Sequence, residues 1–208
     1  MNKIKQNKTK KFLEVTNKRE LAKLLGVEYK VLTYNLYKLE PFEKYKIFEI
    51  KKRNGDSRKI IAPDSGIKFM QENLSQILLD LYPDKFCVHG YLKNKGIKTN
   101  ATPHKKKKII INIDLENFFP SINFGRVRGL FISYPFNFNK TIATTLAQIC
   151  CYEDYLPQGA PTSPIVSNYI CRRLDNHILN LAKKGKFIYT RYADDLTFST
   201  NLQNIPEE

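Results

Sequence analysis

Three aspartates, Asp114, Asp194 and Asp195, are candidates for a catalytic or metal-binding role. Asp194 and Asp195 are adjacent in the stretch YTRYADDLTFST, and apolar residues recur on both sides of them. This pattern is typical of two short antiparallel strands with the charges at the connecting turn. Asp114 ends another apolar run, KKKKIIINID. Aspartate is also common in hairpin turns, where water alone solvates it, so the pair by itself leaves both interpretations open.

A single sheet that contains both runs would bring the three carboxylates together, and they would repel one another unless cations bind. Hard divalent cations, above all Mg²⁺, take oxygen ligands and bind carboxylates together with substrate phosphates. Two such ions can activate an attacking 3′-hydroxyl and stabilise a leaving pyrophosphate. The sequence therefore predicts that Asp114, Asp194 and Asp195 bind two Mg²⁺ ions and catalyse nucleotide polymerisation.

A basic β-hairpin is predicted upstream of these aspartates. The stretch YKIFEIKKRNGDSRKIIAP has alternating apolar residues around a turn at Asn54 and Gly55. Lys52, Arg53 and Arg58 lie at or beside the tip, where cationic side chains suit a triphosphate. A solvated surface charge is the alternative interpretation for each of them, and it is weaker for Arg58 than for Lys52.

Helices and strands alternate irregularly along the rest of the chain. The stretch GIKFMQENLSQILLDLY has an apolar face at helical spacing, and TIATTLAQICC and SPIVSNYICRRLDNHILNLAKKG also read as helices. The strand before Asp114 is so apolar that we expect it to be covered on both faces. The opening MNKIKQNKTKK lacks apolar periodicity and is expected to be a weakly ordered basic arm. Together these elements predict an α+β fold.

The composition favours a polyanionic partner. The chain has 35 Lys and Arg against 20 Asp and Glu, which gives a net charge of +15, and nucleic acid is the leading candidate. No apolar run is long enough for a membrane span and no signal-peptide pattern opens the chain, so we expect a cytoplasmic protein without a membrane partner. The four cysteines lack zinc-site spacing and are expected to be buried thiols.

Three motifs in this order resemble those of reverse transcriptases. RYADDLTFS resembles their Y-x-D-D signature, INIDLENFFPSI resembles the strand with their first catalytic aspartate, and LPQGAPTSPIVSN resembles the segment that lines their nucleotide pocket. The resemblance implies an RNA-directed DNA polymerase with a right-hand fold, in which fingers precede a palm whose antiparallel sheet packs on helices. It also implies that Asp114, Asp194 and Asp195 are the catalytic and metal-binding triad.

The same resemblance implies roles in nucleotide binding. Phe119 matches the bulky residue that lies against the sugar and excludes a 2′-hydroxyl, although ordinary core packing would also explain it. Gln158 and Gly159 match the floor of the nucleotide pocket, and Arg58 matches the residue that grips the triphosphate. Deoxynucleoside triphosphates are the implied substrates.

A narrower resemblance points to the retron reverse transcriptases of bacteria. Asn100, Ala101 and His104 fit the N-A-x-x-H pattern typical of these enzymes. Their residue types suit a polar loop that faces RNA, and the adjacent run supplies cations for phosphates: Lys105, Lys106, Lys107 and Lys108. A loop histidine satisfied within the protein and a solvated lysine run are the alternatives.

The retron resemblance also implies partners. Such enzymes copy part of a structured non-coding RNA into branched, RNA-linked single-stranded DNA (msDNA), and the implied setting is phage defence with a toxic effector protein. A group II intron-like enzyme or another bacterial defence reverse transcriptase is an alternative. A third alternative is a DNA-binding regulator, because residues 17–39 superficially resemble a helix-turn-helix. That alternative leaves Asp114 and the Asp194–Asp195 pair without a purpose.

The resemblance suggests a division of the chain. Residues 1–16 are the basic arm, 17–113 the fingers with the basic hairpin and the RNA-facing loop, and 114–208 the palm with interleaved fingers helices. The family pattern continues beyond Y-x-D-D into a primer grip and a thumb. We therefore expect the 208 residues to be incomplete as a polymerase on their own.

Overall fold

The chain is organised in two compact units. The computed structural model describes residues 3–51 and 55–203, with side chains described from residue 6 onward. One unit comprises Met1–Tyr82 and Phe119–Val166, and the other comprises Pro83–Phe118 and Ser167–Glu208. The strand that ends at Asp114 therefore belongs to the same unit as the strands around Asp194, whereas the predicted division separates residues 17–113 from 114–208.

Helices and antiparallel strands are mixed, in agreement with the predicted α+β class. In chain order the elements are α1 (Lys3–Leu13), α2 (Lys18–Leu24), α3 (Tyr29–Tyr37), α4 (Pro41–Lys44), β1 (Tyr45–Lys51), β2 (Ser57–Pro63), α5 (Ser65–Leu81), α6 (Ile97–Ala101), a 3-10 turn (Thr102–His104), β3 (Ile109–Asp114), α7 (Phe124–Ile132), α8 (Lys140–Cys150), α9 (Ser163–Ile170), α10 (Arg172–Lys184), β4 (Ile188–Tyr192) and β5 (Asp195–Thr200).

The N-terminal segment is a helix anchored in the first unit, so the expectation of a weakly ordered arm is wrong for its described part. Phe12 is fully buried, and its ring packs edge-on against the rings of Phe136 and Phe138, at centroid distances of 6.3 and 5.1 Å. Val15 is also buried. These apolar anchors follow the basic stretch in sequence, and burying them offsets the entropy lost on ordering the helix.

The helix α5 forms the centre of the first unit. The predicted apolar face is confirmed, because Ile67, Met70, Leu74, Ile77 and Leu78 are all buried. Gln71 is buried beside them and donates hydrogen bonds to the hydroxyl of Tyr45 (3.0 Å) and the carbonyl oxygen of Ile149 (2.7 Å). A buried amide is tolerated when it is bonded in this way, and here it ties α5 to the first residue of β1 and to α8.

The predicted hairpin is confirmed by the pairing of β1 with β2. The strands are antiparallel and their register runs from Tyr45 opposite Pro63 to Lys51 opposite Ser57. Lys52 and Arg53, at the predicted basic tip, lie outside the described residues.

The second unit contains a three-stranded antiparallel sheet in the order β3-β5-β4. Tyr189 of β4 and Leu196 of β5 are buried against Ala182 of α10 and against Cys87 and Val88. Residues 87–89 also hydrogen-bond to the edge of β4, where the Arg191 amide donates to the Cys87 carbonyl at 2.7 Å. One face of the sheet thus forms the core of this unit.

The strand β3 is not covered on both faces, contrary to the sequence expectation. Ile110 is 52% exposed and Ile113 is 48% exposed. The strand lies at the edge of the sheet and pairs only with β5 among the described strands. An apolar run signals a preference for burial, but it does not identify what covers it.

The four cysteines are free and buried, as predicted. Burial raises the pKa of the Cys87 thiol to about 11, and the charge of Asp175 adds to this effect. Across the described part of the chain, no helix combines the length and the apolar character that a bilayer crossing requires.

Candidate active site

The turn between β4 and β5 brings the predicted aspartates to one end of the sheet. Tyr192 and Asp195 are paired at the end of this hairpin, and Asp114 of β3 is paired with Asp195 from the other side. The backbone amide of Leu115 donates to the carbonyl oxygen of Asp194 at 3.1 Å. The pairing register of three strands therefore places Asp114, Asp194 and Asp195 next to one another.

The electrostatics of this end favour a bound cation. The pKa of Asp195 is raised above its usual range, first by partial burial and then by the negative charges of Asp194 and Asp114. Asp114 and Asp195 are exposed and Asp194 is half-buried, so solvent ions have access to them. An all-carboxylate donor set is the kind that Mg²⁺ binds together with substrate phosphates.

The side chains are not arranged as a ready-made ion cage. Within residues 3–51 and 55–203, no group of three or more His, Cys, Asp or Glu residues has the arrangement of a metal site. The fit to Mg²⁺ rests on the strand register and on the mutual repulsion of the three carboxylates, which a divalent cation would relieve.

The turn is held in a demanding backbone conformation. Ala193 has a φ of 59°, in the left-handed region that side-chain-bearing residues seldom adopt. Gly90 passes directly against it, and a Cβ atom at Gly90 would lie 2.5 Å from the backbone nitrogen of Ala193. Only glycine fits at residue 90 without displacing the turn. Gly90 lies far from Ala193 in sequence, so no local pattern pointed to this contact.

A buried arginine supports the same turn from the core. Arg191 is fully buried and its guanidinium binds both carboxylate oxygens of Asp175, through Nε (2.8 Å) and Nη2 (2.9 Å). Its Nη1 donates to the carbonyl oxygen of Ala193 at 3.0 Å. The Tyr189 hydroxyl also donates to Asp175, at 3.0 Å. Arg191 thereby connects α10 to the residue that precedes Asp194.

The charge of this arginine is stabilised despite its burial. Burial by itself lowers the pKa of the Arg191 guanidinium, but the hydrogen bonds and charge of Asp175, together with further neighbours, outweigh it and raise the pKa. The Arg191–Asp175 pair was not predicted from the sequence. Asp175 lies in α10 and Arg191 in β4, and the pattern of each segment does not show that the two elements pack together. The one sequence feature that could have indicated such a pair is the arginine in the strand just before Asp194 and Asp195.

Asn168 completes the support around the turn. This buried amide accepts from Arg191 Nη1 at 3.1 Å and donates to the carbonyl oxygen of Gly90 at 3.0 Å. Asn168 therefore links the guanidinium beneath the turn to the glycine that passes against it. Asn168 is the last residue of the LPQGAPTSPIVSN stretch, and no local pattern predicted this role for it.

His104 lies inside the second unit, and this placement corrects the prediction that it faces RNA. It is 4% exposed, with Nδ1 2.7 Å from the Ser199 hydroxyl and Nε2 2.8 Å from the Thr190 hydroxyl. Burial lowers its pKa, and the positive charge of Lys107 adds to this effect. Because both ring nitrogens are engaged within the protein, the imidazole holds the loop against β4 and β5.

The rest of the predicted RNA-facing loop is partly accessible. Asn100 is half-buried, and its Oδ1 atom is buried without a hydrogen-bond partner among the described atoms. In the lysine run Lys107 is half-buried, whereas Lys105, Lys106 and Lys108 are exposed. The contact of these lysines with RNA stays a prediction.

Three of the residues predicted to bind the nucleotide lie on or against β2 in the first unit, namely Arg58, Gln158 and Gly159. The backbone amide of Ile61 donates to the carbonyl oxygen of Gln158 at 2.8 Å. Gly159 has a φ of 127°, and a Cβ atom there would lie 2.9 Å from the Cγ2 atom of Ile60. The Gln158–Gly159 segment therefore packs against the strand that carries the exposed Arg58.

Phe119 belongs to a turn that is tied to the same segment. Its carbonyl oxygen accepts from the amide of Ile122 at 3.0 Å, and the carbonyl oxygen of Ile122 accepts from the amide of Leu156 at 3.0 Å. Leu156 precedes Gln158 by two residues. Phe119 is half-buried, so part of its surface is accessible, and its contact with a sugar stays a prediction.

Comparison with known families identifies the class to which this site belongs. The family model described as reverse transcriptase (RNA-dependent DNA polymerase) matches residues 50–205. This range includes all three aspartates and most of both units. The chain therefore belongs to the reverse transcriptase family.

Within this class the chain is similar to retron enzymes, which confirms the narrower resemblance. It is 37% identical over 187 residues to the retron Ec86 reverse transcriptase of Escherichia coli, an alignment that covers 89% of this chain and 57% of that protein. It is 35% identical over 200 residues to the retron Mx65 reverse transcriptase of Myxococcus xanthus, covering 86% and 46%. The chain thus spans about half the length of the curated relatives it matches.

Proposed function

We propose that this chain is the fingers and palm part of a retron-type RNA-directed DNA polymerase. The observation that carries the proposal is the register of the β3-β5-β4 sheet, which places Asp114, Asp194 and Asp195 at one end in a chain of the reverse transcriptase family. In this proposal the second unit corresponds to the palm, and the hairpin of β1 and β2 belongs to the fingers.

The three carboxylates would hold two Mg²⁺ ions. When bound, these ions lower the pKa of the primer 3′-hydroxyl and neutralise charge on the triphosphate. The work of the protein is to position the ligands. Asp195 and Asp114 are fixed by strand pairing, and Asp194 is fixed by the turn that Arg191 and Gly90 support.

The nucleotide would be bound by residues of the first unit. Arg58, with Lys52 and Arg53, supplies cations for the triphosphate, and Gln158 and Gly159 form the pocket floor. The lack of a side chain at Gly159 lets this segment pack closely against Ile60 of β2, which fixes the backbone of the proposed pocket floor. Phe119 would exclude a 2′-hydroxyl and so select deoxynucleotides.

The template would be the structured non-coding RNA of a retron, and the product would be branched, RNA-linked single-stranded DNA. The similarity to named retron reverse transcriptases supports this assignment. The exposed lysines that follow His104 supply phosphate contacts for such an RNA. Phage defence, with an effector protein as partner, is the biological setting we propose.

The test is primer extension on an RNA template with Mg²⁺ and deoxynucleotides, using the protein that carries this chain. We expect Asp194→Asn to abolish extension while binding to RNA stays within about twofold, because only metal ligation is lost. Asp154→Asn, which alters an exposed aspartate in the other unit, is the matched control and should extend normally. Extension by Asp194→Asn within tenfold of the parent protein would overturn the triad assignment.

A further inference from the structure

The proposed function leaves the pair of helices α2 and α3 without a role, although α3 carries an unusual surface. Tyr34 is 55% exposed and Tyr37 is 48% exposed. Both line one shallow cleft of about 360 Å³ together with Lys30, Thr33 and Lys38. Residues at these spacings share one side of a helix, so the two rings and the two lysines face solvent together.

One of the two rings is held in place by its neighbours. The Lys18 ammonium donates to the Tyr37 hydroxyl at 2.8 Å, and this hydroxyl donates to Gln148 Oε1 at 3.1 Å. Tyr37 therefore loses little conformational freedom when a ligand packs against it. Where α2 and α3 adjoin, the Arg19 guanidinium of α2 lies 4.9 Å from the ring centroid of Tyr29 of α3.

The charge of this region suits an anionic ligand. Residues 17–39 include five basic and two acidic side chains. Both acidic groups are engaged locally, because Glu28 pairs with Lys30 at 3.0 Å and Glu20 accepts from the Thr16 amide at 2.9 Å. Lysine is depleted in the buried centres of protein interfaces, whereas aromatic rings among cations are typical of surfaces that bind single-stranded nucleic acid.

For reading a DNA duplex as a helix-turn-helix regulator would, the exposed side of α3 offers lysines but no arginine, asparagine or glutamine. Duplex sequence is read mainly by Arg, Lys, Asn and Gln at base edges. Asn35 is buried and donates to the Val31 carbonyl at 2.9 Å. The Thr33 hydroxyl donates to helix carbonyl oxygens of Tyr29 and Lys30. The structure thus weighs against the regulator alternative.

We infer that the tyrosine–lysine surface, formed by Lys18, Lys30, Tyr34, Tyr37 and Lys38, binds single-stranded nucleic acid. A base stacks in the cleft on Tyr34 beside the fixed ring of Tyr37, and the lysines contact the flanking phosphates. This site is separate from the carboxylate chemistry and contributes binding whether or not the chain polymerises DNA.

The first test measures binding of a fluorescent single-stranded oligouridylate RNA to the whole chain. Stacking on an aromatic residue contributes enough per base that Tyr34→Ala should weaken binding about fivefold or more. Tyr34→Leu should weaken it similarly, because it keeps bulk but lacks a flat ring, whereas Tyr34→Phe should bind like the parent chain. Phe42→Ala removes another exposed ring of the same unit (78% exposed) and is the matched control.

The second test separates stacking from charge through salt dependence. For a single strand, each phosphate contact contributes about 0.7 to the slope of log K against log salt. Lys30→Gln with Lys38→Gln should reduce this slope by about 0.7 to 1.4, whereas Tyr34→Ala should leave it unchanged.

The outcomes distinguish this inference from its rivals. Unchanged affinity in Tyr34→Ala and Tyr34→Leu would overturn it, and the surface would then face a protein or solvent. Equal losses on a blunt duplex DNA probe would instead indicate duplex binding and would also overturn it. Asp194→Asn keeps the surface intact, so its RNA binding should respond to Tyr34→Ala as the parent does even if the polymerase assignment fails.

Discussion

At the scale of single residues, the position of the proposed catalytic aspartates depends on the guanidinium of Arg191, which is fully buried in the core. Arg191 points into the core from the strand that leads to Asp194, and its fork matches the two oxygens of Asp175. A fully buried ion pair is costly to break, because removing one partner leaves an uncompensated charge. Arg191 is thus a positioning residue for the turn that carries Asp194.

We predict that Arg191→Lys keeps the charge but shifts the metal requirement of extension. Lysine is a point charge and cannot bind both carboxylate oxygens and the Ala193 carbonyl together. The turn should loosen, and half-maximal extension should require several-fold more Mg²⁺. Arg173→Lys changes an exposed arginine of α10 and should leave the Mg²⁺ titration unaltered.

The same site gives a stability prediction. Arg191→Met should lower the free energy of unfolding by about 3 to 5 kcal/mol, because Asp175 then remains buried without its partner. Urea unfolding followed by circular dichroism measures this loss. A change below about 1 kcal/mol would show that the pair does not stabilise the second unit.

Phe119 permits a prediction about substrate choice. If its ring occupies the space beside the sugar, Phe119→Ala should admit ribonucleotides while deoxynucleotide incorporation persists. Single-nucleotide extension with matched ribo- and deoxynucleotides measures the ratio. Phe118→Ala is unsuitable as a control because Phe118 is buried, so Phe119→Tyr, which keeps the ring, serves instead. An unchanged ratio in Phe119→Ala would remove this role.

At the scale of elements, the segment of α6 and the following 3-10 turn supports the sheet from the side of β4. His104 bonds Thr190 of β4 and Ser199 of β5, while His89, next to the edge of β4, lies 2.9 Å through Nδ1 from the Thr99 hydroxyl of α6. The histidine of the N-A-x-x-H pattern, His104, therefore has a structural role. It holds in place the loop from which the lysine run continues.

These histidines predict a loss of stability in mild acid. The pKa of His104 is lowered by burial and by Lys107, and that of His89 by burial and by Lys95. Both lie below the usual value near 6.5 in the folded state, so below that pH the unfolded chain binds more protons. Their contribution is complete above about pH 6.5 and is lost as the pH falls toward their folded values.

Thermal unfolding between pH 7.5 and 5 tests this expectation. His104→Gln should flatten the dependence of the unfolding temperature on pH, because one of the two groups no longer titrates. His177→Gln, which changes an exposed histidine of α10, should keep the dependence of the parent chain. An equal acid response in parent and His104→Gln would show that His104 is not the titrating group.

At the scale of the whole molecule, charge is the dominant property. A net charge of +15 in 208 residues favours polyanionic partners independently of any particular contact. The chain spans about half the length of the relatives it matches, with alignments covering 57% and 46% of two retron enzymes. Binding of nucleic acid by these residues is therefore predicted and tested separately from DNA synthesis.

We predict that the chain binds generic single-stranded RNA with a strong dependence on salt. Releasing counterions from several contacted phosphates should make log K fall linearly with log salt, with a slope of about −0.7 per contact. Fluorescence anisotropy from 50 to 300 mM salt measures the slope, and an uncharged morpholino oligomer is the control. A slope shallower than about −1 would mean that the net charge does not drive binding.

The sequence by itself determined the features that depend on local patterns. The Asp194–Asp195 turn, the hairpin of β1 and β2, and the apolar face of α5 all follow from periods of two or 3.6 residues and from turn chemistry, which act between near neighbours. The charge and the three motifs likewise indicated a nucleic acid enzyme of the reverse transcriptase family, as the match over residues 50–205 shows.

Tertiary structure alone decided which distant residues meet. Arg191 with Asp175, His104 with Thr190, and Phe12 with two later phenylalanines join positions far apart in sequence, and no local period encodes such pairs. The expectation that both faces of β3 are covered was likewise wrong. An apolar run indicates a preference for burial but does not show which element would cover it. Local patterns specify how each segment is shaped, whereas burial and hydrogen-bond satisfaction are settled only when the segments pack against one another.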